Sequence, residues 1–221
     1  MSFRLRWLAP FLALAFLAAG RGAESREPQN IYLLKQELKA YVDSGHYAED
    51  LAAIGTDASQ WIEQRAAAKK PAERLALILD VDETMLSNLP EIRRNDFAYI
   101  RPSWVAWINA GQAPVIAPVL EVFRTAHRLG VAVIVLSGRL ESERAATEGN
   151  LRRAGYDGWT QLHFKADDST ETTGAFKTTW RQRLVAEGWT LIANVGDQES
   201  DFAGGLAEKN FKLPCPFYIT K

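Results

Sequence analysis

Asp80 and Asp82, with Thr84 two residues further on, are the first side chains in this sequence whose types and spacing could do chemistry. They follow an apolar run, Leu75 to Leu79, that reads as a strand buried on both faces of a parallel sheet. Residues two apart in an extended chain point the same way, so both carboxylates emerge together at the carboxyl end of a core strand. That end is where open α/β sheets place ligands. Two like charges held so close repel, and apolar surroundings desolvate them, unless a cation joins them or one holds a proton. The pair therefore asks for a divalent metal, a catalytic proton, or both.

Two more polar clusters stand at strand ends. Ser137, Gly138 and Arg139 follow the buried run VAVIVL (131–136); Gly196, Asp197 and Asp201 follow Leu191 to Val195. In a parallel sheet all three clusters converge on one crevice. A single acidic strand end is often only a helix N-cap, but three in register with acids on two of them point to a site.

The elements that must position these residues alternate strand and helix from Leu75 onward. This predicts an α/β fold, a Rossmann-like three-layer sandwich with a mostly parallel sheet and right-handed crossovers. Helices are expected before Gly130, over Glu141 to Ala154 with Gly155 at the cap, and over Phe176 to Glu187. Gln161 to Phe164 reads as a short strand and Phe217 to Thr220 as an edge strand. Ahead of the core, at 21–70, two amphipathic helices form a hairpin extension: Ile31, Leu34, Leu38, Tyr41 and Val42 share one face, and Tyr47, Leu51, Ile54, Ala58, Trp61 and Ile62 another. The core spans 71–221. Within it, 89–114 is a cap-like helical insert that must fold over the carboxyl end of the sheet. Its aromatics Phe97, Tyr99, Trp104 and Trp107 serve as insert core or as a partial lid that stacks on an aromatic substrate group. Arg93, Arg94 and Asp96 read as a solvated turn.

A formal net charge of −1 gives no reason to expect a nucleic acid polymer as partner. The lone Cys215 excludes an intrachain disulfide. Residues 1–20 have the marks of a cleavable signal peptide: Arg4 and Arg6, the apolar stretch Trp7 to Ala19, then small residues before Arg21. That stretch is shorter than the roughly 20 residues of a spanning helix. No cysteine follows it to carry a lipid, so the expectation is a periplasmic or secreted protein with no stable membrane anchor, the alternative being a segment retained as an N-terminal anchor.

The clusters, in order, resemble the four motifs of the haloacid dehalogenase superfamily of phosphotransferases: DVDET, LSGR, a lysine, GDQESD. The flanks LDVDETMLSN and NVGDQESDF, with FKTTWR between, are similar to the branch of bacterial class C acid phosphatases and plant acid phosphatase or vegetative storage proteins. The resemblance implies a secreted magnesium-dependent acid phosphatase that hydrolyses small phosphomonoesters through an aspartyl phosphate. Asp80 would be the nucleophile and Asp82 the general acid, then base. Mg2+ would be held by Asp80, Asp197 and the backbone carbonyl of Asp82, with Asp201 beside it. Thr84, Ser137 and the amide of Gly138 would hold the phosphoryl oxygens. Lys177, in AFKTTWR with Arg181 four on, fits the motif lysine better than Lys165. Aromatics in the insert favour nucleoside monophosphates and aryl phosphates. The alternative is a catalytically weak phosphate-binding or storage relative, but Asp80 is present at the nucleophile position. Arg139 could reach phosphate or pair with a nearby acid. His46, His127 and His163 lack metal-ligand spacing, and Cys215 reads as a packed residue. The N-terminal helices could pack on a partner subunit as readily as on their own domain, leaving a homo-oligomer open.

Overall fold

The structure, a computed structural model, describes residues 27–220, so the signal-like segment 1–20 lies outside the described residues. Five parallel strands form one sheet: β1 (Arg74–Leu79), β2 (Ala132–Leu140), β3 (Gln161–Lys165), β4 (Trp189–Gly196) and β5 (Asn210–Lys212), ordered β3-β2-β1-β4-β5. β1 lies at the centre because it can be buried on both faces. Leu75, Leu77 and Leu79 point into one apolar cluster, and Ala76 and Ile78 into the other, the period of two expected of a strand.

Helices cover both faces. On the first lie α2 (His46–Ala67), α5 (Ala117–Arg128) and α6 (Arg144–Arg153), whose Leu51, Ile62, Val119, Phe123 and Leu151 join Leu77 and Leu79. Burying a leucine or phenylalanine of this kind contributes about 1.5–3 kcal/mol each. Gly55 lets α2 and α5 approach: a Cβ there would stand 2.8 Å from Pro118 Cβ. On the second face α7 (Thr173–Ala186) places Leu184 and Trp180 against Ile78, Ile134 and Leu136. Thr172 starts α7, its side chain accepting from the Ala175 amide at 3.2 Å.

The first helix, α1 (Ile31–Asp43), has no buried residue and touches α2 through partly buried Tyr41 and Val42. Between β1 and β2, α3 (Leu89–Arg94) and α4 (Arg101–Ala110) make up the helical part of the insert. The solvated turn expected around Arg93 to Asp96 does more than face water. Arg93 pairs with Asp43, and Lys35 and Lys39 with Asp96, tying α1 to the insert. The sheet edge also differs from expectation. The edge strand is Asn210–Lys212, and 217–220 carry no strand. Phe217 packs instead on the rings of Tyr47 and Phe97, and the Thr220 amide donates to the Gln198 side chain at 3.0 Å. Among the described residues no helix is long and apolar enough to cross a membrane.

Candidate active site

The register of the central strands brings the polar clusters together. Leu79 is paired with Val135 on β2 and with Val195 on β4, so Asp80 and Asp197 leave β1 and β4 at nearly the level of Ser137, which lies within β2 rather than at its end. Asp80 continues the ladder with one more bond, its amide to the Val195 carbonyl at 3.1 Å. The chain then turns tightly. The Val81 carbonyl accepts from the Met85 and Leu86 amides, both at 2.9 Å, and Glu83 takes a left-handed φ of 49°.

Asp80, Asp197 and Asp201 are all buried, and one carboxylate oxygen from each lies within 4.8 Å of the others. Lys177, in the second turn of α7, reaches into this group. Its Nζ is 2.6 Å from Asp201 Oδ1 and also donates to Asp80 Oδ1. Burial works against its charge, but Asp201 and Asp80 outweigh that and hold the ammonium firmly protonated. Burial pushes the Asp80 carboxyl well above its usual range, with Lys177 opposing. Asp197 is pushed up to about 7, by burial first and then by the charge of Asp201. Three carboxylates against one ammonium leave excess negative charge in a desolvated pocket of hard oxygen donors, which fits a divalent cation.

The loop carrying Asp201 is fixed from several sides. Asp201 Oδ2 accepts from the Gln198 amide at 2.9 Å, and Gln198 Nε2 donates to Asp197 at 2.6 Å. Arg181, fully buried, donates to the carbonyls of Asp201, Ala203 and Gly205. Gly196 is required here, since a Cβ would lie 2.6 Å from Asp201 Cβ.

Asp82 sits at the mouth with its side chain 21% exposed, next to a buried Arg139. Arg139 Nε and Nη2 grip the carboxylate at 2.7–3.1 Å while Nη1 donates to Thr147 at 2.9 Å. Burial alone would raise the Asp82 carboxyl; Arg139 and then the Asn88 amide more than offset this and hold it below the usual range. Of the two roles open to Arg139, the ion pair is the one present.

These groups line a cavity of about 830 Å³, together with Gly138, Phe97, Tyr99, Trp104, Phe217 and Tyr218. Phe97, Tyr99 and Trp104 of the insert thus border the cavity, while Phe97, Trp104 and Trp107 also pack against the main core, the first of the two readings of these aromatics. Trp107 does not line the cavity; its indole N–H donates to Asn88 Oδ1 at 2.8 Å. Thr84 and Ser137 are fully buried and do not line the cavity. Ser137 Oγ accepts from the Arg139 amide at 3.1 Å, and the Thr84 hydroxyl has no hydrogen-bond partner. Lys165 stands apart at the end of β3, bonded to the Glu171 carbonyl. His163 stacks on Trp180 with ring centres 3.5 Å apart, and burial lowers it to about 4. Cys215 is partly buried, and burial pushes its thiol up, away from nucleophile range.

Reading from spacing missed Glu83, Asn88 and Tyr218. Glu83 is fully buried between strand-end acids and is pushed up to about 7, by burial and then by Asp82. It accepts from the Asn88 amide and from the Tyr218 hydroxyl. The available signal was the acid at 83 in DVDET, a third carboxylate, though its partner Tyr218 lies 135 residues further on.

Residues 24–221 match the profile of the HAD superfamily, subfamily IIIB (acid phosphatase). The chain belongs to this family. Acid phosphatase 1 of Solanum lycopersicum is 36% identical over 146 residues, 64% of this chain and 57% of that one. The stem 28 kDa glycoprotein of Glycine max is 30% identical over 190 residues, covering 83% and 73%. The structure of the class C acid phosphatase from Bacillus anthracis superposes with a TM-score of 0.68 at 25% identity, covering 85% of this chain and 86% of that one. The α/β fold and the phosphatase class of the subfamily IIIB chain thus stand on sequence and structure together.

Proposed function

We propose that this acid phosphatase is exported and hydrolyses small phosphomonoesters, nucleoside monophosphates and aryl phosphates among them, through a phosphoryl group carried on Asp80. One observation carries the reading: Lys177 links Asp80 to Asp201 at 2.6 Å from the latter, with Asp197 in the same 4.8 Å cluster. A carboxylate is a modest nucleophile, and in this desolvated site it reaches its ionised form only with positive charge beside it. Lys177 supplies one such charge. Asp80, Asp197 and the Asp82 carbonyl, with Asp201 adjacent, would hold a divalent cation, Mg2+ by the hardness of the donors. Bound there, it would neutralise the phosphoryl oxygens during attack.

Asp80 attacks phosphorus as the bond to the leaving oxygen breaks, and the electron pair of that bond departs with the leaving group. Asp82 gives that oxygen its proton and then takes one from the water that hydrolyses the aspartyl phosphate. Arg139 holds Asp82 low, so its protonated form is reached only at acid pH, which supports a reading of work on the acid side. Phe97, Tyr99 and Trp104 support stacking of a base or aryl group, their rings lining the same cavity as the acids. The signal-like segment 1–20 supports export.

Release of inorganic phosphate from an aryl phosphate and a nucleoside monophosphate, with Mg2+ or with excess EDTA, tests the proposal. Turnover that EDTA abolishes and Mg2+ restores is expected. Turnover indifferent to EDTA would contradict the cation site, and none at any pH from acid to neutral would contradict the substrate class.

A further inference from the structure

Asn88 stands where the loop after β1 enters α3, fully buried, and each of its polar atoms has an assignment. Nδ2 donates to Asp82 Oδ1 at 2.7 Å and to Glu83 Oε2 at 3.1 Å, while Oδ1 accepts from Trp107 Nε1 at 2.8 Å. An indole N–H is only a donor, and a carboxylate is only an acceptor. With Trp107 on one side and the carboxylates on the other, the amide has a single workable orientation: oxygen toward α4, nitrogen toward Asp82.

The two oxygens of Asp82 then differ. Oδ1 accepts from Asn88 Nδ2 at 2.7 Å and from Arg139 Nη2 and Nε at 2.7 and 3.1 Å; Oδ2 accepts only from Arg139 Nε, at 3.1 Å. An oxygen with three donors upon it has no lone pair left for a proton, so Oδ2 is the site from which a proton can be given. We propose that Asn88, locked by Trp107, is a positioning residue for Asp82: together with Arg139 it saturates Oδ1 and leaves Oδ2 to protonate the leaving oxygen. This rests on the reading of Asp82 as general acid. In the step concerned, the P–O bond breaks, its electron pair stays on the leaving oxygen, and the Oδ2 proton moves to that oxygen. The lock also links the insert to the chemistry, since Trp107 is on α4 while Trp104 and Tyr99, three positions and more along, line the cavity.

The test is the dependence of kcat/KM on leaving-group acidity, across alkyl, phenyl, nitrophenyl and dinitrophenyl phosphates. It compares wild type with Asn88→Ala, Trp107→Phe and Asp82→Ala. A poor leaving group needs the proton and a good one does not, so a misplaced general acid shows as a steeper slope, whereas general damage lowers every ester alike. Asn88→Ala is expected to lose about a hundredfold on alkyl and phenyl phosphates and less than about threefold on dinitrophenyl phosphate. Trp107→Phe, which keeps the ring and loses only the N–H, should show the same pattern at about tenfold. Should Asn88→Ala fail to fold, Trp107→Phe decides alone. A uniform loss, or a wild-type slope in both, would overturn the positioning role, and a wild-type slope in Trp107→Phe would overturn the lock. Asp82→Ala without a steeper slope would instead overturn the general-acid reading beneath it.

Discussion

Asp82 is pulled in two directions by its surroundings: burial disfavours its charge, while the Arg139 guanidinium and the Asn88 amide favour it and prevail. The balance has a direct consequence for pH. A general acid works in its protonated form, so a carboxyl held low is competent only on the acid side. Arg139→Gln removes the larger opposing influence and lets burial raise Asp82, so its proton is retained to higher pH. The optimum should therefore move toward neutral, the alkaline limb of the kcat/KM profile shifting with it. A pH–rate profile checks this, and an unmoved optimum would show that Arg139 does not set it. At this scale the sequence was legible where chemistry repeats a local pattern. Asp80, Asp82, Asp197 and Lys177 each announce themselves beside a buried run or in a motif. Asn88, Glu83 and Tyr218 do not, because what makes them matter is contact between residues as far apart as 83 and 218. Trp107 shows how type alone leaves a choice: it read as insert core or as a stacking ring, and it packs on the core with its N–H on a buried acceptor.

Strand ends and the turns beyond them turn these side chains into a site. β1 and β4 pair as far as Leu79 and Val195, with one register shift between Ala76 and Leu77, and the next residues are Asp80 and, after one glycine, Asp197. That glycine, Gly196, is a place where backbone approach matters more than side chain. Adding one methyl would force Asp201 away, since the new carbon would stand 2.6 Å from Asp201 Cβ. Gly196→Ala should lose about a hundredfold in rate, the usual consequence of a misplaced polar group at a reacting centre. Overpacking of this kind costs about 1–3 kcal/mol in stability. Gly55→Ala meets Pro118 at 2.8 Å on the other side of the molecule, so it should lose similar stability and keep its rate. Melting temperatures and kcat measured side by side separate the two; a fully active Gly196→Ala would refute the requirement. Buried strands were legible as uninterrupted apolar runs, and so were helices with a clean apolar face. The last strand was not. Asn210–Lys212 is three residues with one buried phenylalanine between two polar neighbours, too short for a pattern, whereas Phe217 to Thr220 looks strand-like but spends its aromatic ring on Tyr47 and Phe97.

Across the whole molecule, three layers hold the sheet rigid while the insert and the chain end close over its carboxyl edge. Trp104 of α4 meets Tyr218 of the C-terminal segment edge to face, and both line the cavity that holds the acids. The helical hairpin ahead of the core belongs to the same body: Tyr47, Leu51, Ala58 and Ile62 of α2 are part of the main core, and Trp61 donates to the Ile192 carbonyl at 2.7 Å. α1 is bound more lightly: none of its residues is buried, Tyr41 and Val42 pack on the core, and its charges pair with the insert. The layered architecture was legible from alternation alone; the closure over the site was not, because it depends on aromatics from opposite ends of the chain. On the function proposed above, all of this serves to make Asp80 a nucleophile. That role is tested most directly by acid-quenching the enzyme during turnover of an aryl phosphate in Mg2+ and mapping phosphoryl mass onto peptides, with Asp80→Asn beside it. Wild type is expected to carry a phosphoryl group on the peptide containing Asp80, and the variant to show neither adduct nor turnover. Turnover that survives in Asp80→Asn, or an adduct on a different residue, would contradict that role.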